Sequence, residues 1–269
     1  MGSRRRLNSL SPQMQELITQ FRNGLIATLG ENLVGAYLLG SIAFPGFEPH
    51  LADIDFHVIT RRPLSPEEQK RLDRFHHTLA REFRFGARLD GFYIPLVQAR
   101  KRNIPERLVG VGEGQLHRGT RDAAWALHLE HLHHNGYIAL FGPDPKSIYP
   151  QPSSESTAAA LDRELRSVRR NFRRYPAYAV LNLCRLLYSW RTGRVAVSKR
   201  AAAEWALERF PAEWRGLIRT AVDHYAGRSD TSGRSLLRTR IGGFLMFTEQ
   251  RIVEAKELGR INETSQSVN

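Results

Sequence analysis

The sequence predicts an α+β fold in which an N-terminal domain, a mixed sheet with helices, precedes an all-helical C-terminal domain. Short apolar runs alternate with helical patterns up to about residue 150, and a Pro- and Ser-containing tract follows at 149–154. Beyond that tract the hydrophobic spacing is helical almost throughout. These observations predict domains at residues 1–150 and 157–260.

The composition is that of an ordinary globular protein. The chain has 269 residues, of which 41% are hydrophobic and 25% are charged, which excludes an intrinsically disordered class of protein. Its single cysteine, Cys184, excludes an intrachain disulfide and a multi-cysteine zinc site. No apolar run approaches the roughly 20 residues of a membrane-spanning helix, so we expect a cytoplasmic protein without a membrane partner.

Helix and strand signals follow one another along the N-terminal domain. Ser11 and Ser65 each precede a proline, as helix N-caps often do, and Glu68 completes a capping box with Ser65. Apolar runs bounded by turn residues predict strands, and two of them flank a Pro- and Gly-containing loop at 44–49. The predicted elements are a helix to about residue 28, strands at 33–39 and 53–59, a helix at 66–83, a strand at 90–96 and a helix at 122–135.

The C-terminal domain combines helical periodicity with positive charge. Helices are predicted at about 157–173, 176–191, 199–208, 212–226 and 235–257. The chain has a net charge of +13, and residues 165–203 contain ten Arg or Lys and no Asp or Glu. An arginine-rich composition alone can produce this charge, but it also suits a polyanionic ligand such as a nucleotide or RNA.

Three carboxylates and a Gly-Ser turn form the most informative pattern. Asp53 and Asp55 occupy alternate positions of a predicted strand, so both side chains point to one face and can hold one or two divalent cations. Asp90 follows a predicted helix, and a strand-helix-strand crossover would bring it beside this pair. Gly40 allows a backbone turn to approach phosphate oxygens, and Ser41 offers a hydroxyl and an N–H to the β- and γ-phosphates.

This pattern resembles the signature of the polymerase-β-like nucleotidyltransferase superfamily. Within it, the sequence is similar to the aminoglycoside nucleotidyltransferases of the streptomycin/spectinomycin adenylyltransferase type. Arg88-Leu89-Asp90 stands where that family has its catalytic glutamate, so the acid is one methylene shorter. The motifs of the helical domain that follow the family almost position for position lie at 183–189, 192–196 and 202–211. The resemblance covers roughly residues 30–255.

The resemblance implies an ATP- and Mg²⁺-dependent enzyme that moves AMP to an acceptor hydroxyl and releases pyrophosphate. Asp53 and Asp55 are expected to hold two Mg²⁺ ions. Asp90 is expected to accept the acceptor's proton and to help bind one ion. The acceptor is expected in a cleft between the two domains, where it would be a small molecule of the aminoglycoside or aminocyclitol antibiotic class, as in antibiotic resistance.

Nucleotide-binding residues of the helical domain also follow from the resemblance. It implies that Arg185 contacts a nucleotide phosphate and that Tyr225 contacts the nucleotide. The family's ATP-binding lysine aligns with Ser198, and Lys199 is adjacent. Lys199 also falls in the first turn of a helix that Ser198 is expected to cap, where backbone N–H groups favour phosphate.

The acceptor stays open because the acceptor-binding residues of the family are not matched. No aromatic residue stands near Gly114, where the family's drug-stacking tryptophan would fall, and acids are missing from 165–203. Basic residues at a helical stripe spacing are Arg163, Arg166, Arg170 and Arg173. If this basic segment faces the cleft, phosphates or RNA suit it better than a cationic drug. The alternatives are therefore an RNA (tRNA) or protein acceptor, or a catalytically silent nucleotide-binding module, and the oligomeric state is not predicted.

Several histidines crowd the predicted helix at 122–135 without forming a zinc motif. The residues are His128, Glu130, His131, His133 and His134. Their order matches neither H-E-x-x-H nor H-x-x-E-H, so no zinc site is predicted there.

Overall fold

The computed structural model describes residues 7–45, 47 and 52–266, with side chains up to residue 258. The predicted loop at 44–49 therefore lies partly outside the described residues. The chain divides into two compact units, Met1–Ala160 and Leu161–Asn269. This division falls inside a helix, Ser154–Asn171, that follows the Pro- and Ser-containing tract. Within the described part of the chain, no helix is both long and apolar enough to cross a membrane.

The first unit is built around one mixed six-stranded sheet with the order β5-β4-β3-β2-β1-β6. The strands are β1 (Leu33–Leu39), β2 (Ile54–Thr60), β3 (Leu89–Pro95), β4 (Leu108–Gly112), β5 (Gln115–Thr120) and β6 (Tyr137–Phe141). The helices are α1 (Pro12–Leu29), α2 (Pro66–Glu82), α3 (Leu96–Ala99) and α4 (Trp125–His133). β2 and β3 pair in parallel, and every other pair of neighbours is antiparallel.

Alternation along β2 separates an apolar face from a polar one. Ile54, Phe56 and Val58 belong to the core cluster that includes residues of α1 and α2. The residues between them point to the opposite face, where α4 packs with Trp125 and Leu129. The face with α4 therefore carries the polar residues of β2.

The predicted crossover between β2 and β3 is confirmed. α2 begins at a capping box, in which the Ser65 side chain accepts from the Glu68 N–H and the Glu68 side chain accepts from the Ser65 N–H. The parallel register places Asp55 opposite Asp90. The helix α2 therefore connects β2 to β3 so that the two strands lie side by side, with Asp55 opposite Asp90.

The second unit is helical, as predicted. Its helices are α5 (Ser154–Asn171), which begins in the first unit, then α6 (Pro176–Thr192), α7 (Lys199–Arg209), α8 (Ala212–Tyr225) and α9 (Thr231–Gln266). Buried apolar residues of α6 and α8 and the Phe244 region of α9 form its interior.

Several sequence predictions differ from the structure in their extent, and the helix predicted at 235–257 spans Thr231–Gln266. Arg173 lies beyond the end of α5, so the expected stripe of four arginines on one helix is wrong at its last member. The helix predicted from residue 122 begins only at Trp125, because the Asp122 side chain accepts from the Ala124 N–H and starts a turn there. β4, β5 and β6 carry no strand prediction.

Candidate active site

The three predicted carboxylates gather at one end of β2 and β3. Asp55 lies on β2 opposite Asp90 of β3, and Asp53 directly precedes β2. Arg88 lies with its guanidinium nitrogen 3.5 Å from Asp53 Oδ1, and both side chains are about half exposed. Asp90 is at the surface, yet loss of water around its carboxyl group raises its pKa, and the Asp53 charge raises it further. The arrangement concentrates negative charge that a cation would neutralise.

The Gly40 turn packs directly against this carboxylate group. β1 ends at Leu39, and the chain enters a 3₁₀ turn over Gly40–Ala43 that contains Ser41. Gly40 has a φ of +69°, and a Cβ atom there would collide with the Asp55 carboxylate. The close contact with Asp55 therefore requires glycine at position 40. The carboxylate oxygens beside the turn are ligand atoms that suit Mg²⁺.

A buried polar network lies one step further along the same face of β2. His57 follows Asp55 by two residues, and its Nε2 lies 3.3 Å from Asp122 Oδ2. His128 of α4 donates from Nδ1 to the same oxygen at 2.7 Å. The Tyr149 hydroxyl hydrogen-bonds His57 Nδ1 at 3.1 Å. Asp122 thus joins β2 to α4 immediately behind the carboxylates.

Charge within this network is set by the buried acid. Burial alone would raise the pKa of Asp122, but the His128 charge and the hydrogen bonds from His128 and His57 hold it well below its usual range. Burial would lower the pKa of His128, yet Asp122, followed by the charges of Asp55 and Asp90, raises it. Burial lowers the pKa of His57. These shifts favour the charged forms of Asp122 and His128 and the neutral form of His57.

Sequence reasoning missed this network because its members are far apart in the chain. The signal present in the sequence is that His57 shares the strand face of Asp53 and Asp55. His57, Asp122 and His128 offer ligand atoms within 4.8 Å of one another. A hydrogen bond joins His128 to Asp122, and His57 Nε2 lies 3.3 Å from the same Asp122 oxygen, so the three groups form a polar network around that oxygen.

The remaining histidines in α4 and directly after it have separate partners. His131 packs edge-on against Phe44, His133 hydrogen-bonds the Tyr149 carbonyl at 3.0 Å, and His134 pairs with Glu130. Each of these three side chains therefore has a contact of its own.

In the second unit, Lys199 and Tyr225 come together while Ser198 serves another purpose. The Ser198 hydroxyl accepts from the Ala201 N–H at 3.0 Å, so it caps α7 as predicted. The Lys199 ammonium donates to the Tyr225 hydroxyl at 2.9 Å and lies over the rings of Tyr225 and Tyr178. Lys199 therefore contacts Tyr225 directly, and the Ser198 hydroxyl contacts the backbone of its own helix.

Arg185 is held by an acid that sequence analysis did not single out. Glu164 of α5 directly precedes the acid-free segment, and its carboxylate lies 3.9 Å from the Arg185 guanidinium. Asn182 and the Tyr178 hydroxyl donate to the same oxygen at 3.0 and 3.3 Å. Because Tyr178 also contacts Lys199, these side chains form one continuous cluster around Arg185 and Lys199.

Other acids partly neutralise the basic segment 165–203. Arg169 pairs with Glu249 at 2.7 Å, Arg191 with Glu254 at 3.7 Å, and Arg200 with Glu204 at 3.0 Å. Each acid lies outside the segment in sequence, so the local composition exaggerates the local charge.

Comparison with known proteins identifies relatives of both units. Residues 149–242 match the family described as "Aminoglycoside adenylyltransferase, C-terminal domain". A spectinomycin 9-adenylyltransferase of Staphylococcus aureus is 25% identical over 219 residues, which cover 77% of this chain and 83% of the relative. An aminoglycoside (3'') (9) adenylyltransferase of Klebsiella pneumoniae is 27% identical over 251 residues, which cover 82% of this chain and 87% of the relative.

The fold also matches a solved structure. The crystal structure of spectinomycin adenyltransferase AAD(9) from Enterococcus faecalis with ATP and spectinomycin superposes with a TM-score of 0.70. The match covers 88% of this chain and 98% of that chain at 19% identity. The similarity supports the α+β fold with a helical C-terminal part.

Proposed function

We propose that this chain, which belongs to the aminoglycoside adenylyltransferases, transfers AMP from ATP to a hydroxyl group of an aminoglycoside or aminocyclitol antibiotic. The observation that carries the proposal is the alignment of Asp55 with Asp90 beside Asp53, with the Gly40 turn packed against Asp55. The relatives named for adenylyl transfer to these antibiotics support it.

Asp53, Asp55 and Asp90 are the groups that would hold Mg²⁺, and two ions are expected. When bound, such ions neutralise triphosphate charge and stabilise the attacking and leaving oxygens. The acceptor oxygen forms a bond to the α-phosphorus. The bond between that phosphorus and the oxygen that bridges the α- and β-phosphates breaks, and pyrophosphate leaves. Asp90 takes the proton of the acceptor hydroxyl.

The chain's own cations and donors bind the nucleotide. Ser41 offers its hydroxyl and N–H next to Gly40, where the backbone approaches the phosphates closely. Arg185 and Lys199 contribute positive charge to the phosphates, and Tyr225 contacts the nucleotide. The hydrogen bond from Lys199 to Tyr225 supports a shared role for these two residues.

An RNA acceptor is the second candidate, and the surface around Tyr175 favours it. Tyr175 is half exposed, and the Arg174 guanidinium lies over its ring at 5.2 Å. Exposed aromatic rings next to arginine are features that stack nucleic-acid bases. Transfer to tRNA that weakens steeply with ionic strength would favour this candidate over the antibiotic.

The test is an adenylylation assay with labelled ATP and Mg²⁺ against spectinomycin, streptomycin and bulk tRNA. We expect product with an antibiotic, and no product with Asp53→Ala or Asp55→Ala. Both variants should unfold cooperatively, because removing one of several crowded carboxylates relieves repulsion. Glu82→Gln, which changes an exposed carboxylate on α2, is the control and should keep wild-type activity. Full activity in either aspartate variant at saturating Mg²⁺ and ATP would contradict the metal assignment.

A further inference from the structure

Helix α4 covers only part of the face that carries the three carboxylates. His57 of β2 stacks on Trp125 of α4 at 5.6 Å and meets Phe92 of β3 edge-on at 6.2 Å. Asp55 and Asp90 lie two residues before His57 and Phe92 on the same strand faces. At about 3.3 Å per residue, the carboxylates therefore stand roughly 7 Å beyond the covered layer. His128 lies at this border.

The orientation of His128 is fixed through one of its two ring nitrogens. Nδ1 donates to Asp122 Oδ2 at 2.7 Å, and Asp122 Oδ1 accepts from the Ala124 N–H at 2.9 Å. The His57 ring also meets the His128 ring edge-on at 5.1 Å. With Nδ1 bound to a buried acid, Nε2 is the nitrogen left for another partner, and the side chain keeps 18% exposure.

The contact of the His128 ring with the ring of His57 places His128 near Asp55, which lies two residues before His57 on β2. The charges of Asp55 and Asp90 both act on its ring, and the His128 charge acts in turn on Asp90. The hydrogen-bonded Asp122 has the largest effect among those that raise the pKa of His128, and it favours the ring form in which both nitrogens carry a hydrogen. Buried Asp122 makes the orientation of the ring independent of the substrate.

We propose that His128, held by Asp122, is a further catalytic residue that donates a hydrogen bond from Nε2 to the phosphoryl group being transferred. The inference rests on the proposed function, since the α-phosphate must lie near the carboxylates for AMP transfer. Negative charge on the phosphoryl oxygens is stabilised best by a donor that is already oriented before the reaction. Asp122 is a positioning residue in this arrangement, because it acts through His128.

Two substitutions separate the roles of the two nitrogens. His128→Asn places an amide near Nδ1, so it keeps a donor for Asp122 and loses Nε2. His128→Gln places its amide near Nε2. We expect His128→Asn to lower kcat by about 100-fold, the size of effect seen for loss of one preorganised donor. The KM for ATP should change less than threefold, and His128→Gln should retain several-fold more activity than His128→Asn.

His134→Gln, at the residue that directly follows α4, is the matched control. His134 is 57% exposed and pairs with Glu130, so its replacement should leave kcat and KM unchanged. Thermal unfolding of His128→Asn should be close to that of the wild type. If His128→Asn turns over like the wild type, or if it is active whereas His128→Gln is inactive, the proposed donor role of Nε2 is wrong.

A readout without turnover keeps this inference distinct from the proposed function. Nitrogen NMR of the labelled enzyme can follow the His128 ring during titration with Mg²⁺ and α,β-methylene ATP. We expect a shift of the Nε2 resonance with the analogue and none with adenosine, which lacks phosphates. An unchanged Nε2 resonance at saturating analogue would overturn the phosphate contact. If antibiotics are not adenylylated but this shift occurs, the acceptor assignment fails and the His128 contact stands.

Discussion

Asp90 is exposed at the surface and yet has a raised pKa. Loss of water around the carboxyl group has the largest effect, and the Asp53 charge adds to it, while the charges of His128 and His117 oppose it. An acid with a raised pKa is better suited to accept a proton than an ordinary aspartate. This combination supports a role for Asp90 that differs from the role of Asp53 and Asp55.

Replacing Asp90 by asparagine should therefore separate binding from chemistry. Asp90→Asn keeps the side-chain size but cannot accept the proton, so turnover should fall by about 100-fold or more. Binding of Mg²⁺ and a non-hydrolysable ATP analogue should persist, with some weakening, in calorimetry. Asp90→Glu, which has the length of the acid in the family, should retain activity. If nucleotide affinity disappears together with turnover in Asp90→Asn, Asp90 acts mainly as a metal ligand.

At the level of single residues, spacing in the sequence was enough to find the carboxylates. Asp53, Asp55 and Asp90 lie on elements with clear local signals, and the crossover rule brings them together. Asp122 and Glu164 could not be found in this way. Each contacts a partner through packing of separate elements, and neither has a local pattern that distinguishes it from a surface acid.

At the level of elements, predictability followed the strength of the local signals. The capped helix α2 begins at Pro66 and was predicted from its capping box. β5 has mostly polar, exposed residues without clean alternation, and β4 contains two glycines, so neither shows a strand pattern. These strands are specified by pairing with β3 and with each other.

The packing of α2 on the sheet includes a buried histidine that should make stability depend on pH. His76 Nε2 lies 2.7 Å from the Tyr93 hydroxyl of β3, and the ring stacks on Phe56. Burial lowers the pKa of His76 to about 3, although the Asp73 charge acts to raise it. The ring is therefore neutral in the folded state, whereas in the unfolded chain it binds a proton below about pH 6.5.

The unfolded state then binds the extra proton between about pH 6.5 and pH 3. Stability from the neutral ring is complete above this window and is lost as the pH falls through it, by up to about 1.4 kcal/mol per pH unit. His76→Gln should be less stable at pH 7.5. Its free energy of unfolding, measured with urea, should fall less steeply than that of the wild type between pH 6.5 and 4.5, by the contribution of one bound proton. Tyr93→Phe, which keeps the histidine, should retain the wild-type slope. Equal slopes in wild type and His76→Gln would contradict the buried neutral ring.

At the level of the whole molecule, composition indicated positive charge but not its arrangement. The net charge of +13 and the acid-free stretch 165–203 are evident from the sequence. The ion pairs of Arg169 with Glu249 and Arg191 with Glu254 join positions far apart in the chain, so local composition could not predict them. The unneutralised charge is therefore confined to fewer residues than the sequence suggests.

Arg173 and Arg174 contribute to this remaining charge. Both are exposed, and their guanidinium groups lie over the rings of Phe172 and Tyr175 at 5.5 and 5.2 Å. A cation–π contact brings no negatively charged group to the arginine, so the positive charge of these two arginines is not cancelled there. If they face the acceptor, strongly cationic aminoglycosides should bind weakly, because like charges repel most in a partly desolvated site.

The prediction is that the wild type binds the strongly cationic streptomycin more weakly than spectinomycin. The double variant Arg173→Glu/Arg174→Glu should bind streptomycin at least tenfold more tightly, and the gain should shrink as salt is added. The control Arg215→Glu/Arg219→Glu changes the net charge equally at two exposed positions of α8 that are not assigned to the acceptor site, so it should leave affinity within about twofold. Calorimetry with Mg²⁺ and a non-hydrolysable ATP analogue measures these affinities. Tight streptomycin binding by the wild type, unchanged in the double variant, would show that these arginines face solvent and do not select the acceptor.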